Sequence, residues 1–311
     1  MAKERRPVID YLVYLAVRSV VGVIQALPMT WARGLANMLA ALAFRVDRRH
    51  RDVAKENLRH AFPNRYDDTQ LDELVKNVYR HFVGLVVEIA VLPRKLHTHN
   101  WRKYMDLENG HLILDGLTSS RPLLIVTGHF GNWELAGFAL GLLGFKTYAV
   151  ARVLDNPHLE KFLKSFRQKT GQTILAKKGD FDQMQDLLTA GAAIATLADQ
   201  DAGPRGLFVD YFGRPASTFK SIALLAMEYN VPLLVIGTPK ISPPMYYHVV
   251  AEDFIDPAEY ADRPDAAKAI TQRYTHAIER LVRRDPGQYF WLHRRWKHQP
   301  PVRKAKPAVA A

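Results

Sequence analysis

The order of apolar and polar positions divides the chain into two unlike parts. Up to about residue 100, apolar residues either run together or recur at helical spacing. Residues 11–27 form an apolar stretch interrupted by Arg18, and residues 31–44 a shorter one carrying Arg33. Leu71, Leu74, Val75, Val78, Phe82, Leu85 and Ile89 then mark one face of a long amphipathic helix. From residue 121 onward short apolar runs alternate with helical patterns, which is the signature of a mainly parallel sheet with helices on both faces. Strands are expected over 123–126, 146–152, 173–176, 192–198, 207–212 and 232–238, with 246–254 pairing antiparallel near an edge. Helices are expected over 133–143, from Asn156-Pro157 to Thr170, over 181–190, from a cap at Ser217 or Thr218 to Tyr229, and from Asp262 or Pro264 along the face Ile270, Tyr274, Ile278 and Leu281.

The first apolar stretch follows Lys3, Arg5 and Arg6, as a signal peptide would, but Arg18 interrupts it and no small-residue cleavage site follows. A bilayer-spanning helix needs about 20 apolar residues. Two moderately apolar segments joined at Leu27-Pro28 suit a helical pair lying on or dipping into a membrane. The flanking cations favour a cytoplasmic location for this end. A buried helical hairpin is the other reading. A basic run follows, Arg45, Arg48, Arg49, Arg51, Lys55 and Arg59, which suits anionic headgroups beside an apolar pair and a solvated face otherwise. Three parts are therefore expected: anchoring helices over 1–46, an α/β domain over 47–303 and a disordered tail over 304–311.

Composition narrows the chemistry. At 311 residues and 48% hydrophobic content the chain is globular. It has no cysteine, so a thiolate nucleophile, a disulfide and a cysteine-ligated metal are excluded. The formal charge of +12 calls for an anionic partner: a phospholipid surface, nucleic acid or an acidic carrier. There is no Gly-x-Ser-x-Gly elbow, no phosphate-binding Gly-x4-Gly-Lys-[Ser/Thr] loop, no His-Glu-x-x-His helix and no Gly-x-Gly-x-x-Gly after a strand. Without a nucleophile of its own, such a protein would favour direct transfer between two bound substrates.

The densest chemistry lies where the strand over 123–126 gives way to a helix. His129 sits on the turn, Asn132 can cap the helix, and Glu134 lies in its first turn. Open α/β sheets bind ligands outside the carboxyl ends of their strands, where this turn falls. A neutral imidazole can take a hydroxyl proton, and a carboxylate on its other nitrogen fixes the tautomer. Gly128 and Gly131 allow close backbone approach, and free N–H groups at the helix start suit an oxyanion. A structural histidine beside an ordinary N-terminal helix charge is the plainer reading. Asp199 and Asp201 end another strand. They could orient Arg205 or a substrate, hold a divalent ion, or cap their own turn. Arg152 and Arg167 could each grip a phosphate or form a surface ion pair. Trp291, His293, Arg294, Arg295, Trp296, Lys297 and His298 read best as an interfacial aromatic-basic patch.

Taken together these residues resemble the late acyltransferases of lipid A biosynthesis, the lauroyl and myristoyl transferases of the lysophospholipid acyltransferase superfamily. The resemblance covers nearly the whole chain. It rests on the apolar N-terminus, on residues 51–63 (RDVAKENLRHAFP), on 127–134 (TGHFGNWE) with its His-x4-Glu spacing, and on 151–157 with Arg167. The blocks 199–203 (DQDAG), 211–216 (YFGRPA) and 291–297 (WLHRRWK) complete it. It implies a glycerol-phosphate acyltransferase-like α/β fold, with a mostly parallel central sheet flanked by helices and a helical membrane anchor. It implies that His129 deprotonates an acceptor hydroxyl while Glu134 holds the imidazole, and that the hydroxyl attacks the thioester of an acyl carrier protein or coenzyme A. Arg152, Arg167, Asp199 and Asp201, with Gly131 and Asn132 near the histidine, would then contact substrate. The implied acceptor is an anionic glycolipid, a lipid A precursor or another sugar lipid such as a phosphoinositol mannoside. The implied place is the cytoplasmic face of a bacterial inner membrane, with no metal and no cofactor. The remote alternative is a non-enzymatic basic protein that binds membrane or nucleic acid with His129 merely structural; the chain lacks the aromatic-basic modules of RNA binders, so no nucleic-acid partner is expected.

Overall fold

The structure, a computed structural model, describes residues 7–151, 153–176 and 181–300. Four helices come first: α1 (Pro7–Ala26), α2 (Met29–Val46), α3 (Arg48–Ala61) and α4 (Asp68–Lys95). Asp67 and Gln70 start α4 with a reciprocal capping box, and its buried positions Leu71, Val75, Val78 and Leu85 follow the expected spacing. Strand β1 (Met105–Glu108) and helix α5 (Gly110–Thr118) come next, in a stretch where the apolar pattern alone gave no element. The alternating part runs β2 (Leu123–Thr127), α6 (Trp133–Leu142), β3 (Thr147–Ala151), α7 (Pro157–Arg167), β4 (Thr173–Ala176), α8 (Phe181–Thr189) and β5 (Ala193–Leu197). It continues with β6 (Leu207–Tyr211), β7 (Arg214–Thr218), α9 (Lys220–Glu228), β8 (Leu233–Gly237), β9 (Lys240–Ser242), β10 (Tyr246–Ile255) and α10 (Ala266–Arg284).

The main sheet has the order β1-β10-β8-β2-β5-β3-β4, with β9 on β10. Strands β8, β2, β5, β3 and β4 are parallel, and β10 runs antiparallel to β8 as its alternating pattern suggested. β2 (LLIVT) and β8 (LLVIG) are apolar on both faces, so they occupy the buried centre. One expectation is overturned nearby. Ser217 and Thr218 do not cap a helix; they close β7, which pairs antiparallel with β6 as a hairpin. The turn at Phe212-Gly213, both with positive φ, supplies the reversal that Gly213-Arg214-Pro215 only hinted at.

The two N-terminal stretches behave differently. α2 packs Ala32, Ala36 and Ala40, one per helical turn, against α4, so its small side chains allow close approach. α1 buries only Ile24 and leaves Val8, Ile9, Leu12, Val20 and Val23 exposed. Its mean hydropathy of 1.7 and its 20 residues make it long and apolar enough to cross a membrane. At 1.5 Å per residue it is about 30 Å long, the thickness of a hydrocarbon core. Residues 10–18 of α1 also touch α7 and the residue before it: Tyr14 meets the rings of His158 and Phe162, Arg18 lies 4.9 Å from the Phe162 ring, and Asn156 Nδ2 donates to Asp10 O at 2.8 Å. The expected tail over 304–311 lies outside the described residues.

Candidate active site

The histidine loop is built by tight turns and then tied down. Gly131 has φ +62, and a Cβ there would stand 1.9 Å from Thr238 O, so only glycine fits. Its N–H donates to Gln288 O at 3.0 Å, Asn132 N–H donates to Thr238 O at 2.8 Å, and Phe290 N–H donates to His129 O at 3.1 Å. Asn132 Oδ1 caps α6 by accepting from Leu135 N–H at 2.9 Å. From behind, His81 Nε2 donates to Gly131 O at 3.1 Å. Burial outweighs that bond and drives the His81 pKa down to about 4, so the ring is neutral. Gln288 in turn holds Lys240 N–H and Lys240 O through its side chain. Lys240 and Tyr247 both bind the buried Glu88 carboxylate. The loop is therefore fixed between the end of β8 and the C-terminal segment.

These contacts give Gly131 and Asn132 tasks other than the substrate contact expected of them. Asn132 is fully buried and serves as a cap. The N–H groups of Gly131, Asn132 and Leu135 are committed to protein acceptors, so none of these is the free oxyanion donor that the loop's sequence suggested.

The imidazole has a carboxylate partner, and it is Asp199. β2 and β5 are parallel with Thr127 opposite Leu197, and the ladder continues through Ala198 N–H to Thr127 O. Two residues beyond each paired position stand His129 and Asp199, so strand register brings them together. Gly128 leaves room: a Cβ there would lie 3.3 Å from the Asp199 side chain. Asp199 Oδ2 accepts from His129 N–H at 2.8 Å, and Oδ1 lies 2.8 Å from Nδ1. The Nδ1 proton therefore points at the carboxylate, leaving Nε2 as the basic nitrogen. The Asp199 side chain is 2% exposed and that of His129 19%, so the acid is sealed while the ring is reachable. Burial pulls the His129 pKa down, but the charge and hydrogen bond of Asp199, with the charge of Glu134, carry it above the ordinary value. Burial pushes Asp199 up, and His129 more than reverses it. The ring is steadied by Trp133 and Phe290, with centroids 5.0 and 5.8 Å away.

Glu134 does not hold the imidazole. From the first turn of α6 it faces the end of α7, where Arg167 grips it with both Nε and Nη2, the former at 2.9 Å. It acts on His129 only through space. Its spacing from His129 is right for a shared mouth, but the helix turns the carboxylate toward the neighbouring cation. Burial depresses the Arg167 pKa, and the bond and charge of Glu134 raise it overall. Asp201 turns away from the mouth: its Oδ2 accepts from Gly203 N–H and meets His298 Nδ1 at 2.7 Å, and its own N–H donates to His293 Nε2. Arg205 is exposed on the following turn. Arg152 lies outside the described residues.

The C-terminal signature is not an interfacial patch. Trp291 and Trp296 are core residues, and the buried Arg295 donates to Ser217 O and Thr218 Oγ1 beneath the Tyr211 ring. This segment clamps the hairpin and the histidine loop together. Beside the histidine an apolar cavity of ≈ 80 Å³ opens between α6 and the sheet. Thr127, Trp133, Glu134 and Arg167 stand at its histidine end, and Ile125, Ala136, Leu140 and Ala195 line it within.

A reachable imidazole braced by a sealed carboxylate, next to an apolar cavity, is equipment for general-base chemistry on a long apolar substrate. Sequence comparison makes the class specific. The family model for bacterial lipid A biosynthesis acyltransferases matches residues 2–298, and the chain belongs to that family. It is 27% identical over 268 residues to the lipid A biosynthesis lauroyltransferase of Escherichia coli K12, covering 84% of each chain. It is 23% identical to the lipid A biosynthesis palmitoleoyltransferase of the same organism, covering 86% of this chain and 85% of that one. A phosphatidylinositol mannoside acyltransferase of Mycolicibacterium smegmatis is 24% identical over 169 residues, covering 53% and 55%.

Proposed function

We propose that this protein moves a fatty acyl chain from a thioester, carried by acyl carrier protein or coenzyme A, to a hydroxyl of a lipid A precursor at the cytoplasmic face of a bacterial inner membrane. His129 Nε2 takes the hydroxyl proton, and Asp199 stabilises the imidazolium that forms. The hydroxyl oxygen attacks the thioester carbonyl carbon. The C–S bond breaks as the ester forms, and the proton passes from Nε2 to the departing sulfur, giving a free thiol. Written this way, the reaction balances with no metal or cofactor.

The observation that carries the reading is the 2.8 Å contact between His129 Nδ1 and Asp199 at the strand ends, beside an apolar cavity. Arg167 has five N–H donors, and among the described residues Glu134 takes one on Nε and one on Nη2, which leaves others for an anionic headgroup or the thioester oxygen. α1, with its exposed apolar surface, would hold the site at the membrane. The exposed Arg45, Arg48 and Arg49 at the α2–α3 junction fit anionic lipid. Arg59 and Lys55, from the same basic run, pair instead with Asp68 and Asp72. A lipid A precursor is preferred to a phosphoinositol mannoside because the lipid A relatives match along most of their length and the mannoside relative along about half.

The test is thioester-dependent acylation of a panel of extracted lipids by protein purified in detergent, read by mass spectrometry. Wild-type protein is expected to add one acyl group to the lipid A precursor. His129→Ala is expected to lose at least about 10²-fold in rate, the lower range for losing a general base. Near-normal transfer by His129→Ala would refute the mechanism, and acylation of the mannoside alone would move the acceptor.

A further inference from the structure

The pairing of β3 with β5 stops short of both strand ends, and the unpaired stretch lies between two cavities. β5 pairs with β2 along its full length, to Thr127 opposite Leu197. It pairs with β3 only as far as Ala149 opposite Ala195, although β3 continues against β4 to Ala151 opposite Ala176. Beyond Ala149 and Ala195 the two strands part, and Val150, Thr196 and Leu197 border the gap.

Those same three residues line both the cavity beside the histidine and a second one. The second is apolar, measures ≈ 170 Å³ and is lined by Leu124, Met184, Ile194, Phe219, Ile222 and Leu225. Side chains alternate across a strand, so Ile125 and Ala195 in the first cavity and Leu124 and Ile194 in the second stand on opposite faces of the sheet. The first cavity lies under α6 and the second under α8 and α9. The far end of the first cavity is formed by Thr147 and Gln172, both buried and polar, and Gln172 lies so close to Gly137 that a Cβ there would meet it at 2.4 Å. An apolar chain entering past Trp133 thus has a polar stop ahead of it and, behind Val150, Thr196 and Leu197, a second apolar cavity at its side.

We propose that the methyl end of the donor's acyl chain passes through the gap between β3 and β5 into the cavity under α8 and α9, and that Val150 and Thr196 set the chain length accepted. This rests on the acyl-transfer reading above. The donor chain is the occupant because the first cavity begins beside the histidine, where the thioester carbonyl must sit, and the second shares Val150, Thr196 and Leu197 with it as a common wall. The volume under α6 alone is the smaller of the two, so a chain confined there would be short.

The experiment uses the full-length enzyme with octanoyl, decanoyl, lauroyl, myristoyl and palmitoyl thioesters, measuring kcat/KM for each. Thr196→Trp, which fills the gap, is expected to retain the shorter donors and to lose about tenfold or more on the longest one that wild type accepts, the scale on which apolar pockets separate methylenes. Met184→Trp, filling only the second cavity, is expected to cut the same end of the series by less. Val150→Ala widens the gap and is expected to extend the series toward longer donors, a gain that misfolding cannot imitate. Active variants whose donor profile matches wild type would overturn the proposal, as would a profile that moves with the acceptor's chains instead of the donor's. Absence of transfer by wild type from every thioester would instead count against the acyl-transfer reading itself.

Discussion

The two halves of the sheet are built to opposite specifications. β2 and β8 are buried on nearly every residue and filled by Leu, Ile and Val, and the histidine loop above them is tied by backbone bonds to Thr238, Gln288 and Phe290. β3 buries only Thr147, carries Ala149 and Ala151, and faces Ala195 on β5. On that side, among the described residues, the mouth is closed by the ion pair of Glu134 with Arg167. Full packing fixes a base to within the tolerance that proton transfer needs. Small side chains and partial burial leave room for a substrate. The same chain thus separates positioning from accommodation across a single strand, β5, which contributes Asp199 to one task and the cavity wall to the other.

The sharpest test of that division is Asp199→Asn. The amide keeps an oxygen for His129 N–H but cannot stabilise the imidazolium, so kcat should fall on the order of 10²–10⁴-fold with KM little changed. A stopped assay at saturating donor measures it. Stability should show the division next. Leu123→Ala, in the packed half, is expected to cost about 2–5 kcal/mol, and Val150→Ala, beside the cavity, about 1 kcal/mol. Urea unfolding in detergent compares them, and equal losses would show that the two halves are packed alike.

Glu134→Gln should have a smaller effect on turnover than Asp199→Asn. Losing the charge opposite Arg167 leaves the arginine unpaired at the mouth, which should lower kcat/KM by about tenfold, equivalent to ~1.4 kcal/mol. Removing both partners in Glu134→Gln/Arg167→Met should do less harm than the two single losses combined, because neither charge is then stranded. A loss at Glu134 as deep as that at Asp199 would restore Glu134 to the imidazole and break the comparison.

How far the chain's sequence discloses this arrangement follows from the range of the forces involved. Periodicity located α4, α7, β2, β4, β8 and the antiparallel β10, because each buries a regular set of apolar positions. It missed β1, α5 and β7, short elements stabilised by neighbours distant in sequence, and it took Ser217 and Thr218 for a helix cap when they close a hairpin. The histidine was legible from its strand-to-helix turn. Its acid was not: Glu134 is close in sequence, whereas Asp199 is brought in by the pairing of β2 with β5, which no local pattern encodes. The available signal was that both His129 and Asp199 follow a short apolar strand by two residues. The C-terminal tryptophans misled for the same reason, since an aromatic-basic string looks interfacial until Ser217, Thr218 and Tyr211 are found around Arg295.

The gentlest probe is pH, because two imidazoles touch the histidine loop and are displaced in opposite directions. Burial holds His81 neutral, with its pKa near 4, whereas Asp199 carries His129 above the ordinary 6.5. For His129 the folded state holds its proton more tightly than the unfolded chain. Its contribution to stability is therefore complete below 6.5 and is lost as pH rises through the raised value. For His81 the unfolded chain binds the proton more tightly, so stability falls as pH drops from 6.5 toward 4. Activity needs the neutral form of His129, so kcat/KM for wild type should rise with pH through a midpoint above 6.5. In Asp199→Asn the residual activity should show that midpoint moved down, because burial then acts on His129 with only the distant charge of Glu134 against it. An unmoved acid limb would mean that the titrating group belongs to the mouth rather than to the tied loop, and that the division between the two halves of the sheet does not extend to the proton.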